Sequence, residues 1–164
     1  MLVIGIDPGT ATTGYGLVRE MADGSLSVLD FGVIQTPAEL PMSERLLLLH
    51  QQLHHLLFLH RPQSGAVEKL FFQKNVRTAL TVGQARGVAL LAMAEASLEV
   101  SEYTPLEIKQ AVAGYGSAEK SQVQQMVQIL LQLPTIPHPD DAADALAVAI
   151  CHIHSYRVKN LRAS

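Results

Sequence analysis

Four acidic residues stand where a charge is out of keeping with its neighbours. Asp7 ends the apolar run Leu2-Val-Ile-Gly-Ile6, and Glu68 follows Ala66-Val67 in the same manner. A strand pattern of this kind puts its last residue at a sheet's rim, beside the backbone groups of the turn. Asp141 and Asp144 lie three apart at the start of a segment whose other residues, to Ile150, are apolar. On a helix that spacing projects both carboxylates from one face, and so apolar a helix packs closely on a sheet. With the strands of Asp7 and Glu68 as neighbours, all four acids meet on one rim. Carboxylates at close range repel one another, and cations among them relieve the repulsion. Oxygen ligands favour Mg²⁺ or Mn²⁺. Two such ions about 3.5–4 Å apart can activate a water and stabilise a leaving oxygen, which is the chemistry of phosphoryl transfer.

Taken singly, each acid has a plainer role. Asp7 fits an ordinary Asp-Pro-Gly turn, and Glu68 a surface position beside Lys69. Asp140 or Asp141 could cap a helix, where negative charge is favourable. Both Asp140 and Asp141 are spaced to share a face with Asp144, so spacing does not choose between them. The joint pattern, acids ending two apolar strands and paired acids opening an apolar helix, favours a metal centre.

The surrounding elements must bring these residues together. Leu2–Ile6, Gly14–Arg19 and Ser25–Gln35 read as an antiparallel three-strand meander, with Asp23-Gly24 as a hairpin turn. An amphipathic helix opens at Pro41 and stops at Arg61-Pro62. Ser64–Glu68 is a fourth strand. A long helix runs from an Asn75 cap to about Ala96, and Leu98–Tyr103 is a fifth strand. Helices follow from about Pro105, from Ser117 to Leu133, and from Asp140 to a fading end near Tyr156. This order describes an α/β domain with a five-stranded mixed sheet, three antiparallel strands then two parallel, flanked by helices. Residues 1–157 read as one domain and 158–164 as a short mobile tail.

Composition bounds the function. At 164 residues the chain fits a single domain. Cys151 is its only cysteine, which excludes an internal disulfide and suits a reducing, cytoplasmic setting. The apolar start is too short for a secretory signal, and no apolar run reaches the roughly 18 residues of a membrane span. The net charge of −3 gives no global sign of a nucleic-acid partner. Locally, however, Arg61, Lys69, Lys74, Arg77 and Arg86 face one acid, Glu68, across that stretch. Such a stretch can supply phosphate contacts or form a solvated helix face, and Arg86 could equally be a packed structural arginine. The histidines carry no metal motif. His50 and His54 are spaced i, i+4 without the glutamate of a zinc-protease helix, and His152 and His154 do not share a face.

Several motifs together resemble the RuvC Holliday-junction resolvase family. They are Gly5-Ile-Asp-Pro-Gly-Thr10, Gly14-Tyr-Gly16, Ala66-Val-Glu68 with Phe71 and Lys74-Asn75, Gly83-Gln-Ala-Arg-Gly87, Gly114-Tyr-Gly-Ser-Ala-Glu-Lys120 and Asp141-Ala-Ala-Asp144. The resemblance spans about Leu2 to His154. It implies a ribonuclease H-like fold and a homodimeric, structure-selective endonuclease. Such an enzyme nicks two opposing strands of a four-way DNA junction symmetrically, leaving 5′-phosphate and 3′-hydroxyl ends. It also implies partnership with the RuvA–RuvB branch-migration complex. On the matching positions, Asp7, Glu68, Asp141 and Asp144 are the metal-binding acids, with Asp140 left as a helix cap or an outer acid. Lys109 and Lys120 are basic residues near the site, and Phe71 is an aromatic that stacks on a base. Lys74 and Arg77 are further candidate phosphate contacts.

Two other functions compete. Gly5–Thr10 also resembles the phosphate loop of actin-like and sugar-kinase ATPases, but their ATP lies between two such domains and this length supplies one. A non-cleaving junction-binding module would gain nothing from holding four mutually repelling acids near phosphates.

Overall fold

A computed structural model describes residues 1–69 and 75–163. The meander comprises β1 (Leu2–Asp7), β2 (Thr12–Glu20) and β3 (Leu26–Gln35). Then come α1 (Met42–His60), β4 (Ser64–Glu68), α2 (Val76–Glu95), β5 (Glu99–Tyr103), α3 (Pro105–Ala113), α4 (Lys120–Leu130) and α5 (Asp140–Ala163). The sheet has the order β3-β2-β1-β4-β5. β1 pairs antiparallel with β2 and parallel with β4, and β4 pairs parallel with β5. This is the expected mixed sheet.

The two-residue period of the strands sorts side chains between the sheet's faces. On β1, Leu2, Ile4 and Ile6 join the core formed with α1 and α2. Val3 joins the opposite core, built with α3, α4 and α5. Asp7 therefore shares its face with Val3 and Gly5, toward α5. On β4 the same alternation puts Val67 against α1 and α2 and Ala66 against α5, so Ser64 and Glu68 also point to α5.

Local chemistry explains most element ends. Asn75 accepts hydrogen bonds from the backbone N–H groups of Arg77 and Thr78 and caps α2. Thr104 and Glu107 form a reciprocal capping box at α3. Three ends differ from the sequence reading, α4 stopping at Leu130 where Leu133 was expected. α4 starts at Lys120, not at Ser117, because Glu119 is the cap: its N–H donates to the Gln122 side chain at 2.8 Å. α5 does not fade near Tyr156 but continues to Ala163. Arg157 ties that region to the β2–β3 hairpin through Glu20 and the Gly24 carbonyl, and no glycine or proline follows it. No helix among the described residues is long and apolar enough to cross a membrane.

Candidate metal centre

β1 and β4 are in register with Ile6 beside Val67, which sets Asp7 and Glu68 side by side at the end of the two central strands. α5 brings the other two acids. Its approach depends on two glycines. Gly14 is the β2 partner of Asp7, and a Cβ there would lie 1.9 Å from the Asp141 carbonyl oxygen. A Cβ on Gly5 would lie 2.2 Å from the Ala145 carbonyl oxygen. Only hydrogen at these positions lets the helix backbone rest directly on the strands. Alanines at 142, 143, 145, 147 and 149 keep the helix surface thin over the same contact, and all are buried.

Carboxylate oxygens of Asp7, Asp141 and Asp144 lie within 4.8 Å of one another. Glu68 is hydrogen-bonded to Asp7 and repelled by Asp144. Asp7 thus belongs to two groupings, one with Glu68 and one with the α5 pair. Asp140 is outside both. It is exposed, accepts from Gln124 Nε2 at 3.1 Å and pairs with Lys120 at 3.3 Å. Lys120, at the first position of α4, also reaches Asp144 at 3.2 Å.

The electrostatics follow from this crowding. Burial, then the charges of Glu68, Asp144 and Asp141, push the Asp7 carboxyl up to about 9. Burial also raises Glu68 and Asp144, with Lys120 opposing the rise in each case. Lys120 is itself held above its ordinary value: burial works against its charge, but Asp144 and Asp140 outweigh it. Without cations, folding therefore retains a proton on Asp7 that the unfolded chain releases above about pH 4. Stability falls as pH rises from about 4 toward 9, since the native state then binds more protons than the unfolded one. Hard oxygen donors, negative charge in excess of the one nearby lysine, and close mutual spacing fit a divalent cation.

A cleft of about 240 Å³ adjoins the acids, lined by Glu68, Lys109, Lys120 and Asp144 over an apolar floor of Ile108 and Val123. Lys109 and Lys120 both line this cleft, beside the acids. Arg77 is exposed in the first turn of α2 and does not line the cleft. Phe71 and Lys74 lie outside the described residues. Arg86 pairs with Glu102 of β5 at 2.5 Å, the packed structural role. His50 binds Glu95 at 2.7 Å, away from the acids. Gly14, on which the approach of α5 depends, was present in the Gly14-Tyr-Gly16 motif, but its function was not: a missing side chain is legible only once its neighbour is known.

Fold and site together define a ribonuclease H-like domain with an acidic cluster at the rim of its central strands. The chain belongs to the RuvC family: the family model, crossover junction endodeoxyribonuclease RuvC, matches residues 3–152. The crossover junction endodeoxyribonuclease RuvC of Roseiflexus sp. (strain RS-1) is 60% identical over 152 residues, covering 93% of this chain and 90% of that protein. The protein of the same name from Syntrophomonas wolfei is 56% identical over 160 residues, covering 98% and 92%. Among solved structures, Thermus thermophilus RuvC in complex with a Holliday junction substrate superposes with a TM-score of 0.93 at 38% identity, covering 97% of this chain and 96% of that one. The yeast mitochondrial Holliday junction resolvase Ydc2, 16% identical with a TM-score of 0.67 over 98% of this chain and 82% of that one, shares the fold.

Proposed function

We propose that this chain is a metal-dependent endodeoxyribonuclease that resolves four-way (Holliday) DNA junctions. It nicks two opposing strands symmetrically and leaves 5′-phosphate and 3′-hydroxyl ends. The observation that carries the chemistry is the double membership of Asp7, shared between Glu68 on one side and Asp141 with Asp144 on the other. That arrangement supports two Mg²⁺ or Mn²⁺ ions per site, held by Asp7, Glu68, Asp141 and Asp144. Bound there, divalent ions neutralise the carboxylates, lower the pKa of water and stabilise a leaving oxygen.

The chain's own residues do the rest. Lys120 holds the Asp144 carboxylate from the α4 start and offers a positive charge at the mouth of the cleft. Lys109 adds a second cation on the same wall, so a phosphodiester entering the cleft meets both. Arg77 and Lys74 contact phosphates flanking the cut, and Phe71 stacks on a base at the crossover. The apolar floor of Ile108 and Val123 offers water no hydrogen-bond partner beneath the reacting phosphate.

Two strands are cut by two copies. α2 carries an outward apolar stripe: Val76 is 71% exposed, Leu80 65% and Leu91 54%. Gly87 lies on the same stripe, and a Cβ there would meet nothing within 4 Å. An unpartnered apolar stripe of this kind marks an interface, and we assign it to a homodimer. A single domain that runs on through α5 to Ala163 carries this chemistry, and the enzyme works in the cytoplasm downstream of a RuvA–RuvB branch-migration complex. A synthetic four-way junction tests the reading. Wild type cuts it in Mg²⁺ or Mn²⁺, and Asp7→Asn binds it without cutting. Full cleavage by Asp7→Asn contradicts the assignment.

A further inference from the structure

His152 lies on the α5 face of the sheet, buried to 4% exposure. Its Nε2 is 2.9 Å from Ser64 Oγ, at the start of β4. Its Nδ1 is 2.9 Å from Tyr103 OH, at the end of β5. A neutral imidazole has one donor and one acceptor nitrogen, and each hydroxyl can complement either. One side chain therefore ties α5 to the strand that carries Glu68 and to its β5 neighbour, where Tyr103 is the partner of Glu68.

From this geometry we infer that His152 is a positioning residue for the metal centre: it sets the axial register of α5 against β4, and so the placing of Asp141 and Asp144 against Glu68. The inference rests on reading those carboxylates as metal ligands. The two lever arms match. His152 follows Asp144 by eight residues, about 12 Å of helix at 1.5 Å per residue. Ser64 precedes Glu68 by four, about 13 Å of strand at 3.3 Å per residue. The anchored end and the acidic end are thus two rungs of one ladder, with α5 and β4 running in opposite senses.

The need for such an anchor comes from the helix surface itself. Alanines at 142, 145 and 149 make α5's sheet-facing side shallow. Apolar burial is non-directional, and a shallow surface offers few ridges to resist sliding. A hydrogen bond is directional and loses strength steeply when misaligned. A single buried polar contact can fix the register of packed helices in the same way.

The test is Mn²⁺ binding by the DNA-free protein, followed by the electron paramagnetic resonance of unbound Mn²⁺, beside thermal unfolding in EDTA. His152→Phe keeps a ring of similar volume and removes both hydrogen bonds. The expected result is Mn²⁺ binding about tenfold weaker, the size seen when a group orienting metal ligands is lost. Ser64→Ala and Tyr103→Phe each remove one of the two His152 bonds without altering the core's shape, Tyr103→Phe also releasing Ser101 and Ser155, and each is expected to weaken binding by part of that factor. Ser64→Ala in the His152→Phe background is expected to add nothing, because its partner is already gone. A generally loosened fold would lower the melting temperature of each variant without this pairing. Wild-type Mn²⁺ affinity in folded His152→Phe overturns the inference. Should that variant fail to fold, wild-type affinity in both Ser64→Ala and Tyr103→Phe overturns it equally. Failure of the wild type to bind Mn²⁺ overturns the metal reading itself and this inference with it.

Discussion

Adding one methyl group at Gly14 should disable the site without touching any charge. The Cβ of Gly14→Ala would sit 1.9 Å from the Asp141 carbonyl oxygen and 2.4 Å from its carbonyl carbon, where ordinary contact begins at 3.4 Å. Both atoms are backbone, so no side-chain rotation relieves the clash. The β2 strand and the first turn of α5 must separate by about 1.5 Å, and overpacking of this kind costs about 1–3 kcal/mol. Gly5 holds α5 one turn further along, against Ala145 and Ala149. The helix therefore pivots there, lifting Asp141 and Asp144 away from Asp7. Displacing reacting groups by about 1 Å costs on the order of 100-fold in rate. Single-turnover cleavage of a four-way junction in Mg²⁺ measures the loss, and a mobility shift in Ca²⁺ checks that the junction is still bound. The expected result is a cleavage rate lower by about two orders of magnitude with binding within about threefold. A folded Gly14→Ala protein that cleaves at the wild-type rate would refute the claim that this contact sets the site.

Two further outcomes follow from the same geometry. In EDTA, wild-type stability should fall between pH 5 and pH 8 by a few kcal/mol, because Asp7 is held up to about 9. Asp7→Asn should flatten that fall in urea melts, and equal slopes in the two proteins would contradict the shared-charge account. Leu80→Arg, on the exposed stripe of α2, should convert the proposed dimer to monomers in sedimentation velocity. It should leave the melting temperature of the monomer unchanged, since Leu80 is 65% exposed.

Much of the site was legible because its signals are short-range. Asp7 and Glu68 break apolar strands, and the period of two then settles which face they share. Asn75 announces the α2 cap in the same local way. The strand order brings Asp7 and Glu68 together as the pattern required. What was not legible depends on neighbours distant in sequence. Spacing alone does not tell which of Asp140 and Asp141 faces the cluster, and only the motif resemblance pointed to Asp141. The structure separates them because Lys120 and Gln124, both from α4, draw Asp140 outward. Ser117 looked like the start of α4, but the Glu119–Gln122 contact lies closer to the helix and prevails. α5 outran its expected end at Tyr156 because Arg157 finds Glu20 across the sheet. His152 looked idle beside His154, since its partners Ser64 and Tyr103 are 88 and 49 residues away.

Diffraction from crystals soaked in Mn²⁺, with anomalous differences, tests the carboxylate centre most directly. The account predicts Mn²⁺ peaks bound by Asp7 together with Glu68 and with Asp141 and Asp144, and none on Asp140. A peak held by Asp140 in place of Asp141, or no peak among the four acids at millimolar Mn²⁺, would contradict it.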